Sequence, residues 1–284
     1  MNPHLKALYG LKFNPFTADL PLEALHLSPP LEDFAWRIEN GLAHEGGFAL
    51  ITGDPGTGKS VALRLLAERL ERLREVTVGA LAHPQSNLAD FYREMGDIFA
   101  VALQPHNRWG GFRVLRERWL AHIDTTLVRP ILLIDEAQEM PPTVLNELRL
   151  LTSTRFDSRA ILSVVLAGDR RLLEKLRREE LLPLGSRIRT RLTLEPATPE
   201  ALRACVVHLM SAAGNANLMT RELIETLCDH ALGNYRLLAT LANELLAAAA
   251  QRELDHLDEK LYLEVFSVPE AARGAPRRPA PRRR

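Results

Sequence analysis

"ITGDPGTGKS", residues 51–60, is the stretch on which the fold turns. Gly53 is followed by four residues and then by Gly58, Lys59 and Ser60, directly after the apolar "FAL" of residues 48–50. A loop that holds phosphate needs small residues, so that consecutive backbone N–H groups converge on one anion, and a helix N-terminus behind them. Gly53, Gly56 and Gly58 supply the clearance, and the residues from Val61 onward supply the helix. Lys59 is placed to meet β- and γ-phosphates, and the Ser60 hydroxyl to ligate Mg²⁺. Pro55, Thr57 and Val61 complete the run expected to contact nucleotide. The chain has five lysines beside 31 arginines, so a lysine at this point is not background.

A second stretch fits the first. "ILLIDEAQ", residues 131–138, ends four apolar residues in a pair of carboxylates. In an open α/β sheet that pair falls at the C-terminal edge, where ligands bind. Asp135, 76 residues after Lys59, is placed to hold the Mg²⁺ shell. Glu136 can orient or deprotonate the attacking water. The expected ligands are therefore ATP and Mg²⁺, and the expected reaction is Mg²⁺-dependent ATP hydrolysis.

Strand and helix signals alternate outward from these motifs. The pattern predicts strands over 47–53, 76–81, 130–136, 160–169 and 190–196. Helices are expected over 33–42, 61–73, around 86–103 and around 110–127. After Pro199 strand signals stop, and 199–213, 220–230, 235–252 and about 255–266 read as helices. A doubly wound α/β domain followed by a small helical one is implied. The expected divisions are an N-terminal extension (1–30), the α/β domain (31–197), a helical lid (198–268) and a tail (269–284). The tail carries "ARGAPRRPAPRRR", with six arginines and no large apolar residue, and is expected not to fold.

Composition excludes several classes. With 46% hydrophobic and 25% charged residues the chain reads as globular. No apolar run is long enough for a bilayer span, and "MNPHLKALYGLKF" lacks the apolar core of a signal peptide, so a cytoplasmic location without membrane contact is expected. Cys205 and Cys228 fit no metal or redox spacing and read as buried small side chains.

The P-loop, the "DEAQ" form of the second motif, "LNELRLLTS" (145–153), "SVVLAGD" (163–169) and the opening "YGLKFNPF" (9–16) together resemble the ExeA/TniB group of AAA+ ATPases. That group includes regulators of transposition similar to TnsC and MuB. The resemblance implies a P-loop parallel sheet flanked by helices, with a small C-terminal helical lid. It places Asp169 at the sensor-1 position near the γ-phosphate. It places Arg236, in "GNYR", as the sensor-2 arginine. "GSRIRTR" (185–191) would hold an arginine finger for the neighbouring subunit, with Arg187 the first choice and Arg189 and Arg191 as rivals. A finger in trans implies a homo-oligomer, as a ring or filament.

Two roles then stand open. One is an ATP-dependent regulator that assembles on double-stranded target DNA and recruits a transposase. The other is an ExeA-type ATPase for secretion or pilus assembly. The short basic stretch after the lid points toward the first. "PHNRWGGFRVLRERW" (105–119) interleaves arginines with aromatics, so Arg108 and Arg113 are candidates for DNA phosphates. An amphipathic helix burying Leu115 and Trp119 accounts for the same residues.

Overall fold

The computed structural model describes residues 8–103, 107–155 and 158–266. The expectation for the 269–284 tail lies outside them. Two compact units are present. One holds residues 25–198 together with 233–236, and the other holds 8–24, 199–232 and 237–266.

The larger unit begins with α1 (Pro29–Arg37), whose two prolines occupy the first helical positions, where the missing N–H groups are not needed. The expected helix over 33–42 continues past α1 as a wide turn over Ile38–Leu42. Then follow β1 (Gly47–Gly53), α2 (Lys59–Glu71), β2 (Val76–Leu81), α3 (Leu88–Ile98) and α4 (Arg108–Thr126). β3 (Arg129–Ile134), α5 (Pro142–Leu151), β4 (Ser163–Gly168), α6 (Arg170–Leu176) and β5 (Ile188–Leu194) complete it. The run expected as one strand over 160–169 is split. Arg159–Ala160 folds back antiparallel onto Ser153–Thr154, and only Ser163–Gly168 joins the main sheet.

The strand order is β2-β3-β4-β1-β5, and every pairing is parallel. Helices cover both faces, which is why the central strands are apolar throughout. On one face Phe48, Leu50, Leu132, Ile134, Val164 and Leu166 pack with α3, α4 and α5 through Phe91, Trp119 and Leu148. On the other, Ala49, Ile51, Ile131, Leu133, Val165 and Ala167 meet α1 and α2 through Phe34, Leu66 and Leu70. After β1 the chain crosses to the edge strand β2, and β3 and then β4 fill the gap back toward β1. Three loops therefore emerge side by side from the ends of β3, β4 and β1. The register sets Ile134 beside Leu166 and Gly168 beside Thr52, so Asp135 and Glu136 leave β3 next to the last residues of β4.

The second unit contains α7 (Pro199–Ala213), α8 (Arg221–Ala231), most of α9 (Tyr235–Gln251) and α10 (Glu259–Phe266). Residues 8–24, part of the stretch expected as an N-terminal extension (1–30), group with these helices. Lys12 N–H donates to Ala213 O at 2.8 Å, Asn215 Nδ2 to Tyr9 O at 3.0 Å, and Asn14 Nδ2 to Asn243 Oδ1 at 2.8 Å. These polar contacts give no hydrophobic period, so sequence patterning is silent on them. Cys228 is buried, but Cys205 is only partly so. Burial pushes the Cys205 thiol up to about 11, which keeps it protonated at neutral pH. No helix among the described residues is long and apolar enough to cross a membrane.

Candidate functional site

The loop between β1 and α2 closes on glycines with a backbone that other residues resist. Gly56 has φ +85° and Gly58 φ +101°. At Gly53 a Cβ would lie 2.5 Å from Thr57 Oγ1 and 2.6 Å from Leu194 O, so the neighbouring strand β5 also demands glycine there. The Thr57 hydroxyl donates to Asp54 O at 2.8 Å and ties the turn. Lys59 is 6% exposed, and its ammonium donates to Gly53 O at 3.0 Å and Asp54 O at 3.2 Å. A nearly buried cation whose hydrogen bonds, among the described residues, go to neutral carbonyl oxygens is short of negative charge in direct contact with it. An anion over the loop would supply it, so the residues fit a nucleotide phosphate. Ser60 and Val61 are exposed in the first turn of α2, and Pro55 on the loop is exposed as well. Asp54 pairs with Arg170 on α6 at 2.9 Å, linking the loop to the end of β4.

Asp135 and Glu136 follow β3 on the same edge. Asp135 Oδ1 accepts the Glu136 N–H at 2.9 Å, and Glu136 sits in the left-handed region at φ +50°. For a non-glycine residue that conformation costs about 1–2 kcal/mol and turns the Glu136 side chain out of the strand's alternation. Glu136 is exposed, and Oε2 accepts from Gln138 Nε2. Gln138 is 4% exposed, and its Oε1 accepts the Asp169 N–H at 3.3 Å. Lys175, its ammonium pulled below the usual lysine range by burial, donates to the carbonyls of Gln138 and Met140. The fourth residue of "DEAQ" was the available signal for Gln138, but glutamine alone carries no chemistry that would single it out.

Asp169 does stand at the end of β4, between the other two loops. Its carboxylate is engaged locally, because it caps α6 by accepting Arg171 N–H at 2.8 Å and pairs with Arg171 Nε at 2.9 Å. Burial pushes its pKa up, but the Arg171 hydrogen bonds and the Arg171 and Lys59 charges outweigh that, so the carboxyl is held below the usual carboxylate range. What Asp169 offers the Glu136 side is its backbone N–H, through Gln138.

Residues 233–236 belong to the same unit. Tyr235 N–H donates to Gly56 O at 3.0 Å and Asn234 Nδ2 to Pro55 O at 3.0 Å. Arg236, exposed, therefore begins one residue from the phosphate loop. A Cβ on Gly56 would strike Asn234 Oδ1 at 2.1 Å, a second reason for that glycine.

The arginines of "GSRIRTR" lie elsewhere. Parallel pairing sets Ile188 beside Phe48 and Leu194 beside Gly53, so Arg187 is at the opposite end of β5 from the loop. Seven residues of strand separate the two ends by roughly 20 Å. Arg187 donates to Pro183 O, and Arg191 Nη2 to Gly185 O at 3.2 Å. Arg189 falls in the irregularity where the register skips between Ile188 and Thr190. Arg187 is thus out of reach of its own subunit's phosphate loop.

Arg108 opens α4 and makes a two-pronged contact with Glu147 on α5, with Nε at 3.1 Å from Oε1 and Nη2 on Oε2. Glu147 is 2% exposed and also accepts from the Tyr92 hydroxyl. Arg108 is therefore committed to neutralising a buried carboxylate, which a sequence cannot reveal without knowing that α4 and α5 are neighbours. Arg113 is exposed, with Glu117 at 3.8 Å. Leu115 and Trp119 form the buried stripe, while Trp109 is 74% exposed and stacks on Phe112 at 5.7 Å.

Residues 42–176 match the family described as AAA domain. Over 248 residues the chain is 30% identical to general secretion pathway protein A of Aeromonas hydrophila, covering 86% of this chain and 44% of that protein. The chain thus spans less than half the length of that curated relative. Among solved structures it is similar to Cdc6p from Pyrobaculum aerophilum, with TM-score 0.71 and 18% identity over 92% of this chain and 74% of that one. It is also similar to the Aeropyrum pernix ORC1 protein in complex with DNA, with TM-score 0.68 and 17% identity over 88% and 67%. At these identities the two structures establish the AAA+ P-loop fold and nothing finer.

Proposed function

We propose that this chain, whose fold is that of an AAA+ P-loop protein, is a Mg²⁺-dependent ATPase of the ExeA type that works as a homo-oligomer in secretion or pilus assembly. The observation that carries the enzymatic part is the convergence of Lys59, Asp135, Glu136 and the Gln138–Asp169 contact on three adjacent strand ends. Ser60 and Asp135 would hold Mg²⁺, which when bound neutralises charge developing on the transferred phosphoryl group. Lys59 faces the terminal phosphates and Glu136 takes up the proton of the attacking water. Arg236, on the 233–236 segment bonded to the phosphate loop, completes the site. Arg187, far from its own loop, acts on a neighbour's nucleotide and makes the site composite. The ExeA-type role rests on the 30% identity to general secretion pathway protein A.

A second reading, a regulator that coats double-stranded DNA and recruits a transposase, draws on the surface of α4. There the exposed Trp109 stacks on the half-buried Phe112, Arg116 lies over the Phe112 ring while donating to the Leu150 and Ser153 carbonyls, and Arg113 is exposed beside them. Aromatic and guanidinium groups of this kind suit nucleic acid, and the Aeropyrum pernix ORC1 protein was solved with DNA. Arg113, rather than Arg108, is the residue left to contact phosphate. Light scattering and electron microscopy with ATP, ADP or no nucleotide, with and without double-stranded DNA, separate the two. The ExeA-type reading expects ATP-dependent assembly indifferent to DNA. Assembly that requires DNA and weakens steeply with salt would favour the transposition regulator instead.

A further inference from the structure

We propose that Gln138 is a positioning residue for the hydrolytic step, orienting the Glu136 carboxylate and linking it to the end of β4. This rests on the reading of Glu136 as the group that handles the attacking water.

The orientation of the Gln138 amide is fixed by its surroundings. Its oxygen accepts the Asp169 N–H, so its NH₂ must face the other way, and there it donates to Glu136 Oε2. Its backbone carbonyl is held by Lys175, and its side chain is nearly buried. Space for the amide comes from Gly168, where a Cβ would stand 2.7 Å from Gln138 Oε1 and 2.7 Å from Leu172 Cδ2. Glu136 has no such enclosure. It is exposed, on a left-handed backbone, with Gln138 as the side-chain donor to its carboxylate. A flexible, solvent-facing carboxylate is a poor base unless something restricts it, because misplacement by about 1 Å removes on the order of a hundredfold in rate. Gln138 provides that restriction. The same amide touches the residue that follows Gly168, so displacement at the end of β4 is transmitted to Glu136.

Gln138→Glu separates this role from simple filling. The substituted carboxylate still accepts the Asp169 N–H but cannot donate to Glu136, and it sets a second negative charge against it. The expected result is a fall in kcat on the order of a hundredfold with the ATP dissociation constant unchanged, and a comparable fall for Gln138→Met. A Gln138→Glu variant that turns over like the wild type, with Gln138→Met impaired, would mean that the residue only satisfies the Asp169 N–H. A second measurement does not require hydrolysis. Gln138→Glu should lower the melting temperature by about 2–4 °C, and adding Glu136→Gln should restore it, because donor and acceptor are then exchanged. No recovery in the double variant would overturn the contact. A wild type without Mg²⁺-dependent hydrolysis, combined with recovery in the double variant, would sink the proposed ATPase and support the Gln138 contact.

Discussion

Glu136→Gln is expected to bind ATP as tightly as the wild type and to hydrolyse it about 10²–10⁴-fold more slowly. The replacement keeps the side-chain length, and its amide oxygen can still accept from Gln138 Nε2, so the contact at this strand end survives. Only the capacity to take a proton disappears. Because binding is set by the Lys59 loop on a different strand, ground-state affinity should be untouched, and the loss should fall on kcat alone. Phosphate release measured beside equilibrium binding of a fluorescent ATP analogue checks both halves. Undiminished turnover would remove Glu136 from the reaction.

Lys59→Ala acts on the other half. It is expected to weaken ATP binding on the order of a hundredfold or more, since charge-assisted bonds to phosphate contribute about 1.5–3 kcal/mol each. The lysine is nearly buried and also donates to Gly53 O and Asp54 O, so the loop loses two internal bonds as well. Calorimetric titration with ATP, beside a melting curve in its absence, separates the two consequences. Unchanged ATP affinity would mean that the phosphates lie elsewhere.

The parts of this site that sequence reveals are those in which one residue type serves one local purpose. Gly56 and Gly58 need positive φ, and Lys59 must follow them at a helix start, so the pattern is compact enough to read directly. β1 and β3 are legible because strands covered on both faces are apolar along their length, while the edge strands β2 and β5 show instead an alternation of buried and exposed residues. The 160–169 run misleads for the same reason. Ile161 and Leu162 are as buried as strand residues but lie in a crossing between the small hairpin and β4, and burial alone does not distinguish the two. Arg108 illustrates a different limit. In sequence it is one of several arginines among aromatics, and its partner Glu147 is 39 residues away on another helix. Gln138 is hidden by its chemistry, since a neutral amide becomes informative only when both of its ends are seen to be occupied. The N-terminal segment joins the helical unit through backbone and asparagine contacts that leave no pattern at all.

The proposed nucleotide site is completed by a second subunit, because Arg187 stands at the far end of β5 from its own phosphate loop. Mixing Lys59→Ala with Arg187→Ala tests it most directly. Each variant alone is expected to hydrolyse ATP poorly, the first for want of nucleotide and the second for want of a finger. In mixed oligomers, some interfaces join the intact loop of one variant to the intact arginine of the other. Turnover should therefore rise above both parents and peak near equal proportions. Absence of any recovery across the ratio series, with co-assembly of the two variants demonstrated by differential tags, would contradict an arginine supplied in trans by Arg187.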